Sequence, residues 1–285
     1  MVKKLSLVLL LLVVCVTGCA RTARIKRIKP DDPAAKEPSK AVTAFTVGER
    51  ATFTGSWKGI PIGEATVTTE DIIAYKGFEV YKVVVVAKTS KIISQFYKVE
   101  DTLISYIDTK DFTSRHCEAI RREGRYKKDV IVDYDFDKRL AIYNNLLDGT
   151  VKTCPIKERV HDPISAAYYF RTVPMKLGDE LHVTVNVNEE NYDVYGKIEK
   201  KCSITIPGLG KHEALLIKPY IKAKGKRQRR ASTWGYISTG EKRLPLYGVI
   251  KILEIPWIGD ISGTIKKVEY LGDNIPKTES LIERE

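Results

Sequence analysis

The acidic residues and histidines are the first candidates for metal binding. Asp133, Asp135 and Asp137 form a D-x-D-x-D run, but an EF-hand calcium loop needs Gly at its sixth position and Glu at its twelfth. This chain has Lys138 and Asn144 at those positions. On a strand the three carboxylates share one face, which favours a solvated surface over a metal site. The four histidines are scattered outside any H-x-x-x-H or H-E-x-x-H pattern. We therefore expect no metal and no cofactor.

Catalytic patterns are equally weak. His161, Asp162 and Ser165 supply the residue types of a hydrolase triad, but neighbours at the start of a helix do not make a triad, and no G-x-S-x-G motif is present. Asp101 and Asp108 are an odd number of positions apart, so on one strand they face opposite sides. We expect a protein that is not an enzyme.

A dense basic cluster is the strongest candidate for binding. The formal net charge of the chain is +12, and six basic residues lie within nine positions: Lys222, Lys224, Lys226, Arg227, Arg229 and Arg230. Between two predicted strands this cluster is either a charged hairpin tip or a contact for anionic headgroups or polymers.

The first residues carry the pattern of an export signal. Lys3 and Lys4 precede an apolar run from Leu5 to Val16, which is shorter than the roughly 20 residues of a membrane-spanning helix. The run ends in Val16-Thr17-Gly18-Cys19, which resembles the lipobox of bacterial lipoproteins. The resemblance implies cleavage between Gly18 and Cys19 and a diacylglycerol on the Cys19 sulfur. The alternative is an ordinary signal peptide in which Cys19 is incidental.

The sequence then divides into segments. Residues 1–18 are the signal, 19–41 the lipidated cysteine and a flexible basic tether, 42–271 one domain and 272–285 a C-terminal tail. Ala20 stands where Asp commonly retains lipoproteins in the inner membrane. We expect an outer-membrane protein facing the periplasm, anchored through acyl chains on Cys19, and no nucleic acid partner.

Three further cysteines belong to the domain. Cys117, Cys154 and Cys202 are odd in number and form no C-x-x-C pair. In an oxidising compartment one disulfide can form, and Cys117 with Cys154 is preferred because these two are nearest in sequence. Three buried thiols are the alternative.

Short β-prone segments separated by polar turns dominate the domain. They predict a mainly β fold with a meander, sandwich or barrel-like sheet, and Pro207-Gly-Leu-Gly-Lys211 indicates a hairpin turn between two of the strands. One segment differs, because Asp162 can cap a helix, Pro163 suits its first position and Pro174 follows its end. Ile164, Ala167, Tyr168 and Arg171 share one face of that helix, so we expect it to pack on the sheet.

Several segments resemble a known family in their order and spacing. They are Phe45–Glu49, Trp57–Gly63, Phe96–Asp101, Ser105–Asp108, Asp162–Arg171, Arg243–Leu246 and Gly259–Gly263. Together they resemble domain of unknown function 3108, a family of exported bacterial proteins. The resemblance implies an extended, strongly curved antiparallel sheet with one helix, and it implies no catalytic residues.

Two classes of function remain open. A curved sheet of this size can hold a lipid or another amphipathic envelope molecule, with the basic cluster as a rim for its anionic head. The domain can equally be an envelope assembly module that binds a protein or a polymer through its surface. Alternating apolar strands permit an internal cavity but do not require one.

Overall fold

The computed structural model describes residues 45–223, 226–227, 234–252 and 259–283. Strands dominate this part of the chain, with two short helices, α1 (Lys91–Ser94) and α2 (Pro163–Thr172). The strands are β1 (Glu49–Trp57), β2 (Ile60–Tyr75), β3 (Phe78–Thr89), β4 (Glu100–Asp108), β5 (Ser114–Glu123), β6 (Tyr126–Asp135), β7 (Leu140–Asn145), β8 (Thr150–Pro155), β9 (Glu180–Val187), β10 (Glu190–Ile206), β11 (Gly210–Ala223), β12 (Lys226–Arg227), β13 (Trp234–Ser238), β14 (Pro245–Ile252) and β15 (Gly259–Tyr270).

All these strands join one antiparallel sheet, as predicted. Their order is β8-β7-β6-β5-β4-β3-β2-β1-β15-β14-β13-β11-β10-β9, and β12 pairs with β11 outside this path. The sheet is not closed by strand pairing, because β8 and β9 are its two edges. Within the described residues, no helix has the length and apolarity needed to cross a bilayer.

Side chains and one short backbone bridge connect the two edges. The Tyr143 hydroxyl donates to Asn186 Oδ1 over 2.5 Å, and Asn191 Nδ2 donates to the Pro155 carbonyl over 2.6 Å. Asn186 N donates to the His161 carbonyl over 2.8 Å, which covers part of the β9 edge. Since the first and last strands meet in this way, the sheet is rolled into a barrel-like shape with a seam.

Helix α2 lies against the rolled sheet and forms as the sequence predicts. The Asp162 side chain accepts from Ile164 N and Ser165 N, and Pro163 occupies the first turn. Ile164 and Tyr168 pack in a core cluster with Phe45, Val83, Val85 and Ile107. The helix therefore occupies part of the interior that the sheet surrounds.

The four consecutive valines of β3 lie in a strand that is covered on both faces. Val83 and Val85 face the helix, whereas Val84 packs with Ile104 and Tyr106 on the opposite face. On the neighbouring strand β2 the register against β3 shifts between Thr69 and Asp71.

The C-terminal segment packs on the domain, although the sequence analysis separated it as a tail. Thr278 Oγ1 donates to Glu70 Oε1 over 2.5 Å, and Leu281 N donates to Glu118 Oε2 over 2.6 Å. Leu281 and Ser280 are buried. We call the segment Gly272–Glu283 the C-terminal strap.

Candidate functional site

Several candidate residues from the sequence lie outside the part of the chain that the structure describes. Gly18, Cys19 and the basic tether precede residue 45. The basic cluster also falls largely outside: Lys224, Arg229 and Arg230 are not described, and Lys222, Lys226 and Arg227 are described only as members of β11 and β12. The proposed anionic contact of this cluster stays a prediction.

The preferred disulfide does not form. Cys117, Cys154 and Cys202 are free thiols. Cys117 lies on β5 and Cys154 on β8, with β6 and β7 between them. Neighbouring strands are about 4.8 Å apart, so three steps put the two cysteines well beyond the ~7 Å limit between Cα atoms of a disulfide. Closeness in sequence was a poor guide, because the meander separates the two residues by whole strands.

A buried polar cluster holds the start of α2 against β4 and β5. Asp162 Oδ2 accepts hydrogen bonds from Ser105 Oγ over 2.5 Å and from Ser114 Oγ over 2.6 Å. The Ser114 hydroxyl is 2.7 Å from that of Ser165, which lies 3.4 Å from His161 Nδ1. All five side chains are buried.

The cluster stabilises the helix and does not have the arrangement of a hydrolase triad. Asp162 binds the two serines and the helix N-terminus, and the structure shows no hydrogen bond from its carboxylate to the imidazole of His161. Burial raises the pKa of Asp162 above its usual range despite these hydrogen bonds. Burial, with the nearby charge of Arg159, lowers the pKa of His161 to about 4. A neutral imidazole in a dry setting fits a structural role.

A small, partly open apolar cavity of about 20 Å³ lies near the first strands, lined by Gly55, Ile62, Gly63, Ala87, Val99 and Ile261, with Glu64, Lys88 and Thr89 beside them. Such a volume admits about one water molecule, whereas ligand pockets have roughly 300 Å³ or more. Five glycines in register on adjacent strands continue from it across the sheet: Gly63, Gly55, Gly263, Gly248 and Gly235.

One end of the sheet presents exposed apolar side chains on three neighbouring connections. We call the segments Lys58–Pro61, Ser90–Lys98 and Gly124–Lys127 the loop surface. Phe96 is 83% exposed and Ile92 is 73% exposed. The other exposed apolar side chains of this surface are Ile60 and Tyr97. Such a concentration on one end is typical of an interaction site.

Backbone contacts hold the three connections together. Ser90 N donates to the Ile62 carbonyl over 2.9 Å, and Gly124 N donates to the Lys98 carbonyl over 2.7 Å. The Tyr97 ring lies directly on Gly124, where an added Cβ would be only 3.0 Å from it and φ is +57°. The side chain of Ser90 caps α1 by accepting from Ile93 N. The exposed side chains therefore stand on a fixed support.

Charged residues are buried beneath this surface. Arg121 Nη2 and Glu123 Oε1 form an ion pair at 2.8 Å, and Asp101 Oδ1 accepts from Arg122 N over 2.7 Å. Burial, together with the neighbouring carboxyl of Glu123, raises the pKa of Asp101 to about 7. The sequence analysis missed this group, since it considered Asp101 only with Asp108.

Comparison with known proteins identifies the family. The profile of the family described as protein of unknown function (DUF3108) matches residues 52–259. The chain belongs to this family. None of the curated proteins matches it.

Solved structures resemble the DUF3108 chain in fold. A beta-barrel-like protein of domain of unknown function DUF1849 from Brucella abortus has a TM-score of 0.52 and 7% identity, with 78% of this chain and 97% of that chain covered. Two further structures overlap less well. A candidate lipoprotein from Parabacteroides distasonis has a TM-score of 0.32 and 11% identity, covering 81% and 100% of the two chains. A candidate exported protein from Bacteroides fragilis with a YmcC-like fold has a TM-score of 0.29 and 10% identity, covering 79% and 96%. The first comparison supports the barrel-like fold alone.

The DUF3108 domain also contains a buried histidine network that sequence reasoning missed. His116 Nδ1 is 2.9 Å from Asp133 Oδ1, and His116 Nε2 is 3.1 Å from Glu118 Oε1. The Tyr75 hydroxyl donates to Asp133 over 2.5 Å. Asp133, interpreted above as part of a solvated face, is therefore a partner of a fully buried imidazole. These residues lie on three different strands and form no local motif, so no sequence pattern points to the network.

Proposed function

We propose that the chain is a lipid-anchored protein of the bacterial cell envelope whose β domain binds a partner through its exterior. The export signal, the Gly18–Cys19 junction and the basic tether support the anchor. Ala20 after the cysteine supports the outer membrane, facing the periplasm. The predicted anchor keeps the domain within reach of other envelope components, so modest affinities suffice.

The exposed loop surface is the observation that carries this proposal. Ile92 on α1 and Phe96 just after α1 project into solvent, and no described part of the domain covers them. The interior, in contrast, is partly filled by α2, whose Ile164 and Tyr168 pack in a core cluster. Binding through the exterior needs no internal ligand pocket.

Site-specific photo-crosslinking in intact cells tests the interaction. A photoreactive phenylalanine analogue replaces Phe96 and, as a control, Leu177. Leu177 is also exposed. It lies just before the start of β9, at the opposite end of that strand from the β9–β10 turn. We expect light-dependent adducts from position 96 and few from position 177. Equal yields at the two positions, or none at either, would refute the proposal.

A second candidate is an amphipathic ligand inside the sheet. The glycine row keeps a line of the wall free of side chains across four strand spacings, or about 19 Å. Glycines inside strands mark bends, bulges or the close approach of a ligand. Native mass spectrometry of protein extracted from membranes separates these explanations. One lipid molecule per chain, bound in addition to the acyl chains of the anchor, supports a ligand. Protein without bound lipid supports a bend.

A further inference from the structure

We infer that the loop surface binds the anionic phospholipid surface of a bilayer, with Ile92 and Phe96 entering the interface between headgroups and acyl chains. This inference names the partner class of the surface proposed above and rests on that proposal. It assigns the surface a role that depends on the lipid composition of the membrane.

The charge of the loop surface is the first argument. Its segments contain five basic residues, Lys58, Lys91, Lys98, Arg125 and Lys127, and no Asp or Glu. Lys98 pairs with Glu100 at 2.8 Å, but Glu100 also pairs with Lys88 at 3.1 Å, so cations remain in excess. A basic surface without interspersed carboxylates is complementary to anionic lipid and attracts it more strongly at low salt.

The apolar residues are the second argument. Phe96 and Ile92 lie between Lys91 and Lys98 in sequence, so a cationic residue flanks the apolar residues on each side. Tyr97 and Tyr126 belong to the surface and Trp57 directly precedes its first segment, and amphipathic rings favour the headgroup region of a bilayer. Long lysine side chains can extend to phosphates while apolar neighbours enter deeper.

The abundance of lysine argues for a bilayer over a folded protein partner. Centres of protein–protein interfaces are enriched in aromatic residues and arginine but depleted in lysine. Four of the five cations on the loop surface are lysines, and they flank the most exposed apolar side chains. Lysine with isolated aromatic and aliphatic residues is instead typical of segments that lie in a membrane interface.

The predicted tether allows this orientation. Phe45 lies near the start of β1, and β1 extends for nine residues, or roughly 30 Å, to Trp57 beside the loop surface. The predicted tether, residues 19–41, would have a typical span of about 26 Å as a flexible chain. Its extended length would be about 76 Å. The domain can therefore turn its loop surface to the membrane that holds its anchor.

Vesicle flotation tests the inference on the mature chain, residues 19–285 with Cys19→Ser, which has no acyl chain. We expect this chain to float with vesicles of phosphatidylglycerol and phosphatidylcholine but not with phosphatidylcholine alone, and to dissociate as salt rises. Phe96→Ser should weaken binding about tenfold, which corresponds to about 1.4 kcal/mol. Lys91→Gln should weaken it about fivefold, or about 1 kcal/mol.

Matched controls come from other parts of the surface. Leu177→Ser and Lys110→Gln replace exposed residues away from the loop surface, and both should leave binding unchanged. Because Phe96 and Lys91 are exposed, their variants should unfold at the same urea concentration as the parent chain. Equal binding to neutral vesicles, equal losses in the controls, or no vesicle binding would overturn the inference.

Crosslinking at position 96 distinguishes failure of this inference from failure of the proposed function. Adducts with a protein, combined with no vesicle binding, would reject the bilayer and keep the interaction module. Adducts with neither lipid nor protein would reject both. Adducts with phospholipid, together with composition-dependent flotation, would support the inference.

Discussion

His116 connects two distant parts of the chain through one imidazole. Its ring lies between the carboxylates of Asp133 and Glu118, and Glu118 in turn accepts from Ser280 Oγ and Leu281 N. Burial opposes a charge on the ring, but the hydrogen bonds and charges of the two carboxylates outweigh it and raise the pKa of His116. The protonated imidazole compensates the buried charge of Glu118 and the half-buried charge of Asp133.

This raised pKa predicts a pH-dependent stability. Protonated His116 contributes to the free energy of unfolding. This contribution is complete below its unfolded-state pKa of about 6.5 and is lost as pH rises through its higher folded-state pKa. We expect His116→Gln to lower the free energy of unfolding by about 3 kcal/mol at pH 6, because it removes the positive charge beside the buried Glu118 carboxylate, whereas Asp133 keeps Lys76 at 3.0 Å. The loss should shrink toward pH 9.

Urea unfolding of both chains from pH 6 to pH 9 measures this difference. Asp101, whose pKa is raised to about 7, titrates in the same window, but it is present in both chains and cancels in the comparison. A difference in unfolding free energy that stays constant over this range would contradict a charged His116.

At the level of elements, local signals predicted α2 but not the strap. Asp162 and Pro163 mark the start of α2 in the sequence itself, and the capping geometry confirms them. Gly272–Glu283 shows no apolar periodicity, and its partners Glu70 and Glu118 are 208 and 163 positions away from Thr278 and Leu281. No local sequence pattern predicts contacts between residues so far apart in the sequence.

Removal of the strap should therefore destabilise the domain. A chain that ends at Gly272 loses the hydrogen bonds from Thr278 to Glu70 and from Leu281 to Glu118. The two carboxylates then lie in an apolar setting or face water. We expect a loss of about 3–5 kcal/mol in the free energy of unfolding, the range for breaking buried charged contacts. Chemical denaturation measures it, with a chain that ends at Glu283 as the control. Equal stability of the two chains would show that the strap only rests on the sheet.

At the level of the whole molecule, strand content was predictable and closure was not. Alternation and turn residues indicated the strand-rich fold, whereas the short helix α1 before β4 was not predicted. The meeting of β7 and β8 with β9 and β10 depends on contacts such as Tyr143 with Asn186. The loop surface arises in the same way, because its three connections are distant in sequence and adjacent only after the sheet forms.

The proposed anchor concerns where the whole molecule acts, and a substitution of Cys19 tests this proposal. Each buried methylene of an acyl chain contributes about 0.8 kcal/mol to membrane binding, and several chains make the attachment stable. We expect radiolabelled palmitate to enter the wild-type chain and to be absent from Cys19→Ser, which should leave the outer-membrane fraction. Cys15→Ser is the matched control, because Cys15 lies within the apolar run before the predicted cleavage site and its loss should preserve labelling. Equal labelling of the Cys19→Ser chain and the wild type would exclude Cys19 as the acylated residue. The domain would then require another means of reaching the membrane, and vesicle binding by the loop surface would become its principal membrane contact.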